Sequence, residues 1–373
     1  MSVDLRRLAA GPAVPVGAVV LALAVGGLLI AATGGDPIDL GGQIVDRVLL
    51  DYWGISDLLA RMAPLLLAGI AVAIPLRAGL YNVGAEGQIY MGGLFATVVA
   101  LRMPDDANAL LAITAATLAG ALGGALWAGI AGVLKARRGI DEVVTTLLMN
   151  YVALNLISYA ASGPLKAPGA PYPYSPEVPD IVRLPLMMAD TEAHIGLLVG
   201  LAVAVIARIA LARTAWGFGV EVAGKAPGAA HYAGIAVGRT TIIAFALGGA
   251  AAGLAGAFEV IGLKHRLFAG FASGYGYDGL VVAFLAGGDP VWSMVAAAFM
   301  ALLRTAVTTL KSAGLDATAV TIVQGLIVLF AASGLALQRH GAFDRLFART
   351  RPAPTQPPAS ASGTASASGT VQP

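Results

Sequence analysis

Long apolar runs, separated by short polar or Gly-rich joins, dominate the chain. The first occupies residues 14–32 and follows Arg6 and Arg7. It exceeds the short core of a cleavable signal and lacks a convincing small-x-small cleavage site, so it reads as an uncleaved anchor. Further runs fall at 58–76, 84–100, 109–134, 141–161, 195–211, 240–263, 291–310 and 320–337. Gly-interrupted segments within 268–288 should hold a re-entrant piece and a short span. Crossing roughly 30 Å of hydrocarbon takes about 20 apolar residues in a helix, so the pattern predicts an all-α polytopic membrane protein with about ten transmembrane helices.

The polar joins set an orientation. Residues 33–57 carry Asp36, Asp39, Asp46, Asp51 and Asp57 against Arg47, and belong outside. Lys135, Arg137 and Arg138 close the fourth span and read as cytoplasmic. From 163 to 192 the residues Pro164, Pro168, Pro171, Pro173, Pro176, Pro179 and Pro185 forbid a continuous helix and mark an extended external loop. An even number of spans places both termini on the cytoplasmic side, and the excess of Lys and Arg there has the right sign. The expected organisation is a cytoplasmic N-terminus at 1–13, a transmembrane domain at 14–338 with a cytoplasmic loop at 212–239, and a cytoplasmic C-terminus at 339–373. From about residue 352 the tail is almost wholly Pro, Ala, Ser, Thr and Gly, too poor in apolar surface to fold.

Composition sharpens this picture by exclusion. Of 373 residues, 58% are hydrophobic and 12% charged, with a mean hydropathy of +0.80, which places the chain in lipid. The net charge of +2 gives no reason to expect a nucleic-acid partner. Cysteine is absent and histidine numbers four, so disulfides, thiolate sites and a metal cluster are not expected. Glycine is abundant, at 48 residues; Gly120 with Gly124, and Gly249 with Gly253, have the spacing that lets helix backbones approach closely in lipid.

Enzyme signatures are missing: there is no GxSxG, no HExxH and no GxxxxGK[ST] phosphate loop. Gly274, Gly276 and Gly279 satisfy GxGxxG but follow no strand, so they read as a backbone break covered by protein or a watery cavity. Two segments are informative. In 77–92, Asn82, Glu86 and Gln88 interrupt apolar sequence; such groups either serve transport or satisfy one another in a structural hairpin. Glu259 raises the same question, with a surface ion pair to the following Lys264, His265 and Arg266 as the favoured answer. In 217–238 a short helix after Pro227 is expected on the cytoplasmic face, because Pro suits the first helical turn.

The segments RAGLYNVGAEGQIYMGG, DEVVTTLLMNYVAL and AGKAPGAAHYAGI, in this order, resemble the permease subunits of ABC importers in the branched-chain amino acid, simple sugar and nucleoside group. The resemblance covers about 50–335, and its first motif is most similar to the nucleoside-type permeases. It implies a type II importer fold in the inner membrane. The implied partners are a second permease, an ATP-binding cassette subunit and an extracytoplasmic substrate-binding lipoprotein. This chain would bind no cofactor, since ATP and Mg would sit on the ATPase. The resemblance also implies that 223–235 is the coupling helix, with Ala223, Gly224, Lys225, Pro227, Ala229, Ala230, Tyr232 and Gly234 as docking positions. Ala226 and Gly228 depart from the family pattern, which often has Asn and an acidic residue near the Pro.

For a nucleoside, a substrate path with amides and rings is expected, and Asn82, Glu86, Gln88, Tyr90, Asn150 and Tyr275 are its candidates. Simple sugar or branched-chain amino acid cargo is the alternative within this class. Outside it stand an ion-coupled secondary transporter drawing on Glu86 and Glu259, and, more remotely, an intramembrane enzyme.

Overall fold

A computed structural model describes residues 36–312, apart from 105 and 273, together with 24, 27, 28, 31, 322, 325, 326 and 329. The expected first and last spans and both termini lie almost wholly outside the described residues. Among those residues there are eleven α-helices and no strand beyond two isolated bridges. They are α1 (Pro37–Ile44), α2 (Tyr52–Arg77), α3 (Ala85–Ala100), α4 (Ala109–Arg138), α5 (Glu142–Ser162), α6 (Gly196–Arg213), α7 (Ala215–Lys225), α8 (Pro227–Tyr232), α9 (Val237–Phe258), α10 (Tyr275–Leu285) and α11 (Trp292–Ser312).

Side-chain caps start the long helices where the sequence changes from polar to apolar. Asp51 accepts the N–H groups of Trp53 and Gly54 at 3.0 Å to open α2, Asn108 accepts Leu111 N–H to open α4, and Asp141 accepts Val144 N–H to open α5. α4 ends on Lys135, Arg137 and Arg138, cations suited to the negative end of the helix dipole, and stops at Gly139 with a φ of 66°. Lys135 then reaches across the turn to pair with Glu142 of α5 at 2.6 Å.

Six helices, α2, α4, α5, α6, α9 with its π-helical extension to Lys264, and α11, are long and apolar enough to cross a bilayer. The expectation of about ten is therefore not matched among the described residues. α3 has 16 residues and α10 has 11, so each is short of a full crossing. Within 268–288 the helix is α10, and the residues before it form turns.

The core sits around α2 and α9. Of their apolar windows 78% and 67% are buried, against 28% for α4, α5 and α6, which therefore form the periphery. α9 packs on α4, α3 and α2, while α2 also receives α10, α11 and α6. The two GxxxG pairs meet each other: a Cβ on Gly253 would strike the Gly120 carbonyl, and one on Gly249 would strike that of Gly124. With no side chain between them, the α4 and α9 backbones close up, and dispersion replaces the hydrophobic drive that lipid does not supply.

The Pro-rich loop lies over the end of α9. Its backbone N–H groups at Ser175, Val178 and Leu184 donate to the carbonyls of Leu267, His265 and Ile261, each at 2.9 Å. Arg266 reaches back to Glu177 of the loop and stacks over the Tyr174 ring. Glu259 is not part of that surface pairing. It is 2% exposed and among the described residues its Oε2 has no hydrogen-bond partner, which corrects the expected surface ion pair; it is the first residue of the π-helical turn that runs to Lys264.

Candidate functional site

Two places on the bundle concentrate what the sequence singled out. The first is a buried polar knot where α3 begins. Asn82 is fully buried in the join between α2 and α3. Its amide donates to the Ala71 carbonyl and to Gln88 Oε1, both at 3.0 Å, while its own carbonyl accepts Gly84 N–H at 3.1 Å and Gln88 Nε2 at 2.9 Å. Both amides are thereby satisfied by each other and by backbone.

Glu86, in the first turn of α3, receives the backbone N–H of Gly274 at 3.0 Å and of Gly276 at 2.7 Å. A carboxylate at the first turn of α10 meets the positive end of that helix's dipole. Gly274 adopts a φ of 79° to open α10, so Gly274 and Gly276 of GYGYDG make this cradle, and the backbone break is covered by protein as expected. Tyr90 lies within hydrogen-bonding reach of Glu86, and Arg304 within electrostatic reach. Arg304 also lies over the Tyr275 ring and bonds Asp278, which ties α11 to α10.

Asn150 joins α5 to the same knot. Its carbonyl accepts Gly87 N–H at 2.8 Å, and its amide donates to Val83 O at 2.9 Å and approaches the Tyr277 hydroxyl at 3.5 Å. All six path candidates, Asn82, Glu86, Gln88, Tyr90, Asn150 and Tyr275, are 5% exposed or less. The structure brings them together, and the contacts described above run to backbone and to one another.

The second place is the α7–α8 element at the opposite end from the Pro-rich loop. The chain breaks at Ala226 (φ −148°, ψ 75°), and α8 starts on Pro227, as expected for a first helical turn. Gly224 sits directly on the end of α2, where a Cβ would strike the carbonyl of Arg77 and the backbone of Ala78 and Gly79. Ala223 and Ala230 are buried, Tyr232 is 94% exposed, Lys225 pairs with Glu221 at 2.6 Å, and Gly234 turns the chain with a φ of 72°. Beside this contact Asp289 receives Arg77 and Arg208, each at 3.2 Å, which joins α2, α6 and the α10–α11 turn.

Sequence reasoning missed the partner of Glu86, because the backbone N–H groups of Gly274 and Gly276 lie almost 200 residues downstream and have no side-chain signature. It also missed the outer face of α5, where Tyr151, Asn155 and Tyr159 are all exposed. The four-residue spacing of those three was the available signal. Among the described residues no group of His, Asp and Glu could hold a metal ion.

Comparison with known proteins agrees with this architecture. Residues 54–332 match the family described as branched-chain amino acid transport system, permease component. The chain is 36% identical to the glucose ABC transporter permease protein of Haloferax volcanii, over 89% of this chain and 90% of that one. It is 30% identical to the guanosine ABC transporter permease protein of Bacillus subtilis, over 87% and 94%. It is 28% identical to the nucleoside ABC transporter permease protein of Lactococcus lactis, over 86% and 90%. No solved structure matches the chain at a significant level. A multi-pass, all-α membrane protein and a transport component rather than an enzyme, the chain belongs to the branched-chain amino acid transport system permease family of the ABC transporters.

Proposed function

We propose that this permease forms the conducting path of an ATP-driven importer whose cargo is a nucleoside. The observation that carries the coupling is the seat of Gly224 against the end of α2. With no side chain at the contact, a push on α8 passes through α7 into α2 and, through Asn82 on the Ala71 carbonyl, into the polar knot. Interiors this dense respond by shifting whole elements rather than by deforming locally. An ATP-binding cassette subunit, carrying ATP and Mg, grips the exposed Gly228, Ala229 and Tyr232 from the cytoplasm.

A second permease faces this one across the path. A substrate-binding lipoprotein delivers cargo at the end covered by the 163–192 loop. Asn82, Glu86, Gln88 and Asn150 hold the wall of the path in shape from behind.

Two relatives named for guanosine and for nucleosides support the cargo. A sugar is the second reading, favoured by the 36% identity to a glucose permease. Uptake by cells carrying or lacking this chain, measured with labelled guanosine and labelled glucose, separates the two. Loss of guanosine uptake on deletion is expected; guanosine uptake that survives while glucose uptake disappears overturns the nucleoside reading.

A further inference from the structure

Three peripheral helices turn a ridge outward, and one differs in kind. The outer ridge of α4 is Leu111, Leu118, Leu122, Leu126 and Ile130, and that of α6 is Leu198, Val199, Val205, Ile206 and Ile209. Both are what hydrocarbon selects. α5 instead exposes Tyr151 (59%), Asn155 and Tyr159 (71%) in a single line at i, i+4 and i+8, flanked by aliphatic residues.

Asn155 donates to the Tyr151 carbonyl at 2.8 Å, and among the described residues its amide makes no other hydrogen bond. An amide held in lipid with its remaining capacity unused costs about 1–3 kcal/mol, which a leucine at the same place would avoid. Tyrosine is common at bilayer interfaces, and that accounts for Tyr159 near the end of α5. It does not account for Tyr151, which is the tenth of 21 residues and lies roughly 14 Å from the start of the helix and roughly 17 Å from its end.

The line continues on α10. Asn150, adjacent to Tyr151, approaches the Tyr277 hydroxyl at 3.5 Å, and Tyr277 is 41% exposed. Two turns further along α10, Phe284 is 43% exposed, and its ring lies 6.5 Å from that of Tyr81, 48% exposed. α10 ends close to Asp289 and the α7–α8 seat, whereas α5 ends in the Pro-rich loop. Joined between α5 and α10 through the buried Asn150, the six side chains form a ladder spread from one end of the bundle to the other.

We propose that Tyr159, Asn155, Tyr151, Tyr277, Phe284 and Tyr81 line the solute path, stacking in turn on a hydroxylated ring while Asn155 hydrogen-bonds its hydroxyls. The ladder rests on the reading of the cargo as a ring-bearing hydroxylated solute, whether nucleoside or hexose. A face of this kind is useful because each rung is weak. Stacking is worth about 1–3 kcal/mol per ring, enough to exclude water and too little to trap the solute between steps.

The absence of native cysteine makes the test direct. Single variants Tyr151→Cys, Asn155→Cys and Tyr277→Cys, with Leu118→Cys and Leu122→Cys as the lipid-facing controls, are made in the assembled transporter in cells. The ladder cysteines should react with a charged methanethiosulfonate about tenfold or more faster than the controls, because the reactive thiolate forms in water and not in hydrocarbon.

Guanosine and glucose are each added as protectant. Protection by either supports the ladder. Protection by glucose alone sinks the nucleoside cargo and leaves the ladder standing. Labelling at positions 155 and 277 no faster than at 122, or labelling that neither solute slows, overturns it. Where a cysteine variant fails to reach the membrane, Tyr151→Leu and Tyr277→Leu replace it. These should lower uptake about tenfold with assembly unchanged, and undiminished uptake counts against the ladder.

Discussion

Glu86 and Gly276 stand 190 positions apart in sequence, yet the carboxylate accepts the glycine's N–H at 2.7 Å. This contact fastens the start of α3 to the start of α10, two helices too short to cross the bilayer alone. Each leaves unsatisfied backbone groups inside the bundle, and one buried carboxylate serves the N–H groups of α10 there.

Replacing Glu86 should therefore weaken the fold before it touches any solute. Glu86→Ala strands the buried N–H of Gly276, at about 1–3 kcal/mol, and the half-buried N–H of Gly274, so the thermal midpoint of the purified protein should fall by several degrees. Glu86→Gln keeps one acceptor oxygen and should lose less. Equal midpoints for the wild type and Glu86→Ala would show that the contact does not stabilise the bundle.

The α4–α9 seam should be intolerant of size. Gly253→Val and Gly124→Val each place a branched side chain against the opposite backbone, and separating the helices should cost about 1–3 kcal/mol or more. Gly129→Val on the same helix α4, where a Cβ meets nothing within 4 Å, is the control and should be near neutral. Folded yield in detergent, followed by size-exclusion chromatography, reads the difference.

The α7–α8 element should separate folding from coupling, provided the substitutions are made at its tip. Gly224 and Ala230 are packing positions, so bulk there disturbs α2 and the bundle as well as any docking. Gly228 and Ala229 are exposed, and a Cβ on Gly228 meets nothing. Gly228→Trp and Ala229→Glu should leave the protein in the membrane at normal levels and lower ATP-linked uptake tenfold or more. Normal uptake in both would remove α8 from the coupling path.

Acid should loosen the loop end through His194. Its ring is 3% exposed, its Nδ1 accepts Gly196 N–H at 3.1 Å at the start of α6, and burial pushes its pKa down to about 4. The folded state therefore binds fewer protons than the unfolded one between about pH 6.5 and 4, and stability falls as pH falls through that window. The loss should reach about 3 kcal/mol near pH 4. His194→Gln, which does not titrate, should flatten the profile over this range in thermal melts taken at successive pH values.

The spans at 58–76, 109–134, 141–161, 195–211, 240–263 and 291–310 were readable because lipid imposes a length and an apolar composition that no neighbour can alter. Gly120, Gly124, Gly249 and Gly253 were readable for a related reason, since close backbone approach has a fixed spacing along a helix. The break at 274–279 and the short helix after Pro227 were equally local, set by the glycines' backbone freedom and the proline's fixed φ.

What tertiary structure alone decided is where the polar side chains point. Asn82, Gln88 and Asn150 have hydrogen-bonding capacity that would suit a solute, and only their partners, the Ala71, Val83, Gly84 and Gly87 backbone and one another, show that it is used within the bundle. Glu259 is buried at the start of a π-helical turn that no residue pattern announces. Burial and hydrogen bonding depend on elements far apart in the chain, so a sequence fixes which residues lie in the membrane, and packing fixes which of them face anything that moves through it.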